Sequence, residues 1–286
     1  GFGVQGAAIA TILTRGIGAG IGIWLLLSGR VGIELVRTDF LPERETIRKL
    51  FRIGVPASLE VSTKALSVTI LTALVAITSV EAVAAYGIGT RVTSMVVLPA
   101  LGLARGVETV VGQNLGANQR DRAIDGVRAA LGLVVAAFAV LSVVVYVFAG
   151  AVIDIFVTGT GSATVIAVGA EYLRVVGATY VFLGIFYVIQ GGFRGSGRTR
   201  LALLFAFLGY IVLRSLIAYV LAVPLGWGAS GIWYGEAASN VLMAAAVGAY
   251  FLRGTWTGRV VDDSGADPSA TATAPTSPSE TASETD

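Results

Sequence analysis

Seven stretches of this chain are apolar over the length of a membrane span. A helix that crosses the hydrocarbon core takes about 20 mainly apolar residues. The predicted spans are 4–28, 53–79, 82–112, 127–150, 166–193, 200–222 and 229–252. Because lipid offers the backbone no hydrogen-bonding partners, each stretch is predicted to be an α-helix. The sequence therefore predicts an all-α integral membrane protein with seven transmembrane helices.

Composition supports this class and excludes several others. Of 286 residues, 55% are hydrophobic and 13% are charged, against about 25% charged in an ordinary soluble domain. Cys and His are both absent, which excludes disulfides and any catalytic or metal site built on those residues. No G-x-S-x-G or Asp-rich phosphate motif is present. We expect that the chain is not an enzyme, that it binds no metal or cofactor, and that nucleic acid is not a partner.

The distribution of Lys and Arg predicts the orientation of the spans. Fourteen of the 20 basic residues fall in alternate loops and at the C-terminal end of the last span: Arg30, Arg37, Arg44, Arg48, Lys49, Arg52, Arg120, Arg122, Arg128, Arg194, Arg198, Arg200, Arg253 and Arg259. The opposite loops, near 80, 150–165 and 223–228, contain no basic residue. Basic loops stay in the cytoplasm. A multi-pass protein of the cell membrane with a cytoplasmic C-terminus is therefore predicted.

Two regions outside the spans have compositions of their own. Residues 29–52 form a basic linker that is predicted to be cytoplasmic. Apolar residues on one face of 40–52 predict a short interfacial helix. Residues 253–286 are assigned to a disordered acidic tail, since the chain beyond 258 is rich in Ser, Thr, Ala and Pro. The chain starts at Gly1 inside an apolar pattern, which indicates a fragment of a longer protein.

One short pattern occurs twice. GVQGAAIAT at 3–11 and GASGIWYGE at 228–236 both begin with G-x-x-G, and both open a span on the predicted outer side. Weak internal symmetry of this kind is typical of transporters built from repeats. If the two spans are equivalent, each repeat has six helices.

Six phrases together resemble the MATE (multidrug and toxic compound extrusion) family. They are GVQGAAIAT, RIGVPASLE at 52–60, AVAAYGIGTRV at 82–92, LPALGLA at 98–104, VGQNLGA at 111–117 and GGFRGSGRT at 191–199. The resemblance covers about 1–252. It implies twelve helices in two six-helix lobes around a central cavity. On that scheme 1–28 is the last helix of the N-terminal lobe, 53–252 is the complete C-terminal transport lobe, and the rest of the N-terminal lobe is missing.

The resemblance also implies a function. The family members are secondary antiporters that export organic cations or other amphiphilic small molecules in exchange for sodium or protons, by alternating access. An alternative is a flippase of the same superfamily for a lipid-linked or polysaccharide precursor. Bases outnumber acids within the spans, and a basic cavity suits such an anionic cargo.

The sodium-coupled branch of the family places cation-binding acids on helices seven and ten. The corresponding positions here are Lys64 and Leu183, so this chain departs from that branch at both acids. The other prokaryotic branch uses an acid on helix one, and we expect the coupling acid to lie outside this sequence.

Polar residues inside spans are the candidate site residues, because they are costly in lipid. Glu60, Thr63, Lys64 and Ser67 form one stripe on the second span. Either Glu60 and Lys64 pair structurally, or they line the cavity between the lobes and bind substrate or protons. Further candidates for the substrate or ion cavity are Arg91 and Gln190.

Arg214 and Glu236 lie at matching depth on consecutive spans. An arginine and a glutamate at the same depth are expected to pair, because each would otherwise be an isolated charge in the hydrocarbon. We predict a structural intramembrane pair between the two helices.

The absence of cysteine makes the topology directly testable. Single cysteines at Thr38 and Gln119 are expected to react with an impermeant maleimide only from the cytoplasmic side, and a cysteine at Gly161 only from outside, because of the charge bias of the loops. Labelling in sealed cells and in inverted vesicles measures this. Labelling of Thr38→Cys from outside sealed cells would reverse the orientation.

Overall fold

A computed structural model describes residues 3–29, 43–157 and 162–257. Most of the predicted linker, residues 30–42, and the tail from 258 onward lie outside the described residues. The chain divides into two units, Gly1–Gly54 and Val55–Asp286. We call the helices of the second unit the bundle.

The described residues are helical almost throughout. The helices are α1 (Gly3–Leu27), α2 (Arg44–Ala76), α3 (Val80–Gly116), α4 (Arg120–Val147), α5 (Ala149–Asp154), α6 (Ser162–Gly177), α7 (Tyr180–Gly195), α8 (Thr199–Ala206), α9 (Ser215–Ala222) and α10 (Gly228–Leu252). A π-helical segment, Phe207–Arg214, joins α8 to α9. Six of these continuous helical stretches are long and apolar enough to cross a membrane, and α6 with α7 makes a seventh if the pair is one span. The all-α membrane fold is confirmed.

The fifth predicted span, 166–193, is a broken helix rather than one straight helix. Its two parts are bent by 51° at residues 178–179. At the break, the Thr179 hydroxyl donates to the Val176 carbonyl (2.7 Å) and accepts from the Asn240 side-chain amide (2.9 Å). A side chain that bonds to helix carbonyls and to a neighbouring helix is a recognised cause of such a break. Apolar periodicity alone does not reveal it.

The short interfacial helix predicted over 40–52 is not a separate element in the described residues. α2 begins at Arg44 and continues without interruption to Ala76. Pro56 lies inside this helix, where it costs one backbone hydrogen bond but does not end the helix. The charged first turns and the apolar span are therefore one continuous helix.

α7 is the central helix of the bundle and packs against α3, α4 and α10. Two glycines permit its close approach to α3. A Cβ at Gly191 would collide with the Ala104 backbone, and one at Gly195 would collide with the Glu108 backbone. Small residues at helix interfaces allow this contact in membranes, where van der Waals packing replaces much of the hydrophobic drive.

The π-helical segment ties α2 to the bundle. The Tyr210 carbonyl accepts a hydrogen bond from the Ser67 hydroxyl of α2 at 2.9 Å. A π-helical stretch shifts the helix hydrogen-bond register, and such stretches are frequent at functional sites. The segment ends at Arg214, one of the predicted intramembrane charges.

The last described residues pack against the bundle, so the predicted boundary of the tail at 253 is too early. The Trp256 ring is 1% exposed and stacks on Phe251, with the ring centroids 5.1 Å apart. The Arg120 guanidinium donates to the Gly254 carbonyl at 2.9 Å. A tryptophan placed a few residues after an apolar span has enough surface to fold back onto it.

The α3–α7 contact predicts a clear difference between two glycine substitutions. Gly191→Ala should lower the unfolding free energy by about 1–3 kcal/mol, because the new methyl group meets backbone that cannot move aside. Gly102→Ala on α3 is the control, since a Cβ there meets nothing within 4 Å. Thermal unfolding in detergent measures both, and equal melting temperatures would contradict the packing described here.

Candidate functional site

Arg214 and Glu236 form a buried ion pair between the π-helical segment and α10. The Arg214 Nη1 lies 3.3 Å from the Glu236 Oε1, and the two side chains are 7% and 8% exposed. The structure thus brings together the two residues whose equal depth predicted a pair. Each charge is neutralised by the other where lipid and protein leave it little water.

Three further contacts hold the Arg214 guanidinium. Its Nε donates to the Ser239 hydroxyl (3.0 Å), and its Nη2 donates to the Asn240 side-chain oxygen (2.6 Å). Its centre lies 4.8 Å from the centroid of the Tyr210 ring, a favourable cation–π distance. Asn240 in turn reaches Thr179 at the break between α6 and α7. The pair is therefore the centre of a network that joins three parts of the bundle.

A second group of charges lies near the C-terminal end of α7. We call it the end cluster: Glu60, Arg105, Glu108 and Arg194. The Arg194 Nη1 is 2.6 Å from the Glu60 Oε1, and its Nε is 3.2 Å from the Glu108 Oε2. Arg105 also contacts Glu108, at 3.1 Å. One arginine on α7 therefore links carboxylates on α2 and α3.

The structural pair between Glu60 and Lys64, one of the two alternatives left open by the sequence, is not formed. Glu60 bonds to Arg194 instead, and the Lys64 ammonium lies 5.2 Å from the centroid of the Tyr187 ring on α7. Both side chains are half-buried and contact α7. The alternative that they line a cavity between the lobes stays a prediction. The planar guanidinium carries several N–H donors in fixed directions, so Arg194 bonds to Glu60 and Glu108 at the same time.

The other residues of the α2 stripe bond within the bundle. The Thr63 hydroxyl donates to the Leu59 carbonyl of its own helix at 2.8 Å, and Ser67 bonds to Tyr210. Gln190 is 1% exposed, and its side-chain amide donates to the Ala202 carbonyl at 2.9 Å. Gln190 therefore joins α7 to α8 rather than lining an open cavity.

Arg91 is the candidate that remains at an open surface. It lines a pocket of about 420 Å³ between α2 and α3, together with Val68, Thr90, Ser94, Met95 and Leu98. A second, more apolar groove of about 600 Å³ lies between α2 and α8 and includes Thr63 and Arg200. Both openings have the size of small-molecule sites.

The sequence analysis missed the role of Arg194, which was counted only as a loop base. Its place in the GGFRGSGRT phrase gave no sign that its side chain turns back between α2 and α3. The partners of Arg214 had a usable signal, because Ser239 and Asn240 stand three and four residues after Glu236 and share its helical face. Leu183, at the position of the helix-ten acid, is 5% exposed and apolar.

A protein-family model described as MatE matches residues 56–220, more than half of the chain. The chain belongs to the MatE family. The match spans α3–α8 with most of α2 and α9, and so includes both charge networks except Glu236, Ser239 and Asn240 on α10. The resemblance drawn from six sequence phrases is confirmed.

Relatives named as probable multidrug resistance proteins align with most of this chain. The probable multidrug resistance protein NorM of Thermotoga maritima is 27% identical over 260 residues, which are 91% of this chain and 55% of that protein. The probable multidrug resistance protein YpnP of Bacillus subtilis is 26% identical, over 89% of this chain and 56% of that protein. The chain spans about half the length of these relatives.

Solved structures share the fold. A MOP superfamily transporter from Pyrococcus furiosus superposes with a TM-score of 0.83 at 22% identity, over 88% of this chain and 57% of that chain. An outward-facing multidrug resistance MATE family transporter superposes with a TM-score of 0.81 at 23% identity, over 88% of this chain and 56% of that chain. The chain therefore shares the fold of part of a MATE transporter.

The buried pair predicts unequal costs for removing one or both charges. Arg214→Met should lower the unfolding free energy by about 3–5 kcal/mol, because Glu236 is left buried and unpaired. The double variant Arg214→Met, Glu236→Leu should lose less than this single variant. Unfolding in detergent or lipid bicelles measures both.

The matched control for this experiment is Arg128→Met. Arg128 pairs with Asp125 at 3.2 Å, but both side chains are 69% exposed, so the expected loss is about 1 kcal/mol or less. The single variant Glu236→Leu completes the comparison. If the double variant loses as much unfolding free energy as the two single variants lose together, Arg214 and Glu236 do not interact.

Proposed function

We propose that the chain is the C-terminal transport lobe of a secondary antiporter that exports amphiphilic compounds, organic cations among them, in exchange for sodium or protons. The observation that carries the proposal is the MatE match over residues 56–220. Relatives named as probable multidrug resistance proteins support it, since they align with about 90% of the chain. The activity itself belongs to the longer protein, because the aligned part is about half of each relative.

The placement of charges in the bundle fits this proposal. The end cluster links α2, α3 and α7 at the end where the basic loops lie, which we propose to be the cytoplasmic end. Lys64 stands about 18 Å along α2 from Ala76, and Arg91 about 17 Å along α3 from Val80, at 1.5 Å per residue. Both are therefore near mid-depth, where an alternating-access transporter holds its cargo.

The coupling acid is proposed to lie outside residues 1–286. Lys64 and Leu183 occupy the two positions where sodium-coupled relatives are expected to have acids. The half-buried Glu60 and the buried Glu236 each form an ion pair with an arginine of this bundle. Acids committed to structural pairs are poorly suited to binding and releasing a coupling ion at every cycle.

The direct test is transport by the full-length protein in proteoliposomes. An imposed sodium or proton gradient should move ethidium or another fluorescent amphiphile across the membrane, and an ionophore that collapses the gradient should stop it. Liposomes without protein are the control. Dye movement that is the same with and without either gradient would refute antiport.

Residues 1–286 alone should bind amphiphiles but should not pump them. A cavity between two lobes needs both lobes, and this chain is proposed to hold one complete lobe and one further helix. The same dye assay with the isolated chain measures this. Gradient-driven accumulation by residues 1–286 alone would contradict the two-lobe account.

A further inference from the structure

The Arg91 pocket combines one charged group with apolar walls. Its walls on α2 and α3 are Val68, Met95 and Leu98, and its polar groups are Thr90, Arg91 and Ser94. The two hydroxyls donate to carbonyls of their own helix, Thr90 to Gly87 at 3.0 Å and Ser94 to Thr90 at 2.8 Å. Their protons are thus already engaged, and the Arg91 guanidinium is the donor that remains for a ligand.

Three carboxylates of the bundle are engaged by other arginines and are not available to Arg91. Glu60 and Glu108 bond to Arg194, and Glu236 bonds to Arg214. Within the described ranges no carboxylate lies within ion-pair distance of Arg91. Glu171, on α6, is not a lining residue of this pocket.

The charged groups at and beside the pocket, Arg91 and Lys64, are both positive. Lys64 lies one helical turn from Val68, and its ammonium faces the Tyr187 ring rather than a carboxylate. A ring face compensates an ammonium only in part. A guanidinium near mid-depth without a carboxylate is costly in hydrocarbon, so the space around it must hold water or an anionic group.

We propose that the Arg91 pocket is a cargo site for an amphiphile with one anionic group, a carboxylate or a sulfonate, and an apolar body. This assignment rests on the proposed export function and narrows its substrate class. The planar guanidinium binds a group with two oxygens through two parallel hydrogen bonds. The pocket volume of about 420 Å³ suits a small amphiphile, whose body contacts Met95 and Leu98.

The test is binding to residues 1–286 in phosphatidylcholine nanodiscs. The probes are 11-(dansylamino)undecanoic acid, its neutral methyl ester, and a dansyl amphiphile of equal chain length with a trimethylammonium group. The acid should bind roughly tenfold more tightly than the ester, which corresponds to about 1.4 kcal/mol, and more tightly than the cation. Tighter binding of the cation than of the acid would overturn the proposal.

Three variants identify the binding group. Arg91→Gln should remove the preference for the acid over the ester, and Arg91→Lys should keep most of it, because the charge remains although the second parallel hydrogen bond is lost. Arg174→Gln, which changes an exposed arginine on α6, is the matched control and should bind like the native chain.

The melting temperature of each variant shows whether it folds. A preference for the acid that is unchanged in Arg91→Gln would overturn the proposal, as would its loss in Arg174→Gln. If Arg91→Gln does not fold, Arg91→Lys decides, because its affinity for the acid should fall by about threefold when the second parallel hydrogen bond is lost. An affinity equal to that of the native chain would then overturn the proposal.

A lipid headgroup has similar chemistry and is distinguished in a separate arm. If phosphatidylglycerol in the nanodiscs displaces the acid at the same mole fraction, the pocket is a lipid site and the cargo assignment is wrong. Export assays separate this inference from the proposed function. Full-length protein that exports cations but no anions would refute only the assignment of Arg91, whereas export of neither would refute the function.

Discussion

In a bilayer, a carboxylate without a cation is far more costly than it is in water, so the acids of this bundle constrain how its helices pack. Glu60, Glu108 and Glu236 stand on three different helices, and each meets an arginine of another element. Arg194 alone satisfies two of them. That contact therefore joins α2, α3 and α7 at one end of the bundle.

The same constraint explains why the bundle departs from regular helices near Arg214. The π-helical segment ends at this residue, and the break between α6 and α7 lies at Thr179, which the Asn240 amide joins to the Arg214 network. Both irregularities free polar backbone or side-chain groups to bond across helices. In lipid such departures persist only where neighbouring helices satisfy the groups that they release.

The sequence predicted the spans well because length and hydropathy are strong signals in a membrane. It also predicted the Arg214–Glu236 contact, since two isolated opposite charges at one depth have few other partners. It did not predict that Glu60 would pair with Arg194 rather than with Lys64, because the direction of a side chain at a helix end depends on tertiary packing. The break at Thr179 was missed for a related reason: a hydroxyl in an apolar run looks the same whether it bonds to its own turn or bends the helix.

The central claim is that Glu60, Glu108 and Glu236 are neutralised by arginines inside the bundle, so that none of the three balances the positive charge of Arg91. The most direct measurement is the coupling free energy between Glu60 and Arg194, from the stabilities of Glu60→Gln, Arg194→Gln and the double variant in lipid bilayers. Charges in contact at 2.6 Å and 13% exposure should give a coupling of about 2 kcal/mol or more. A coupling below about 0.5 kcal/mol, the limit of additivity for independent sites, would contradict the claim.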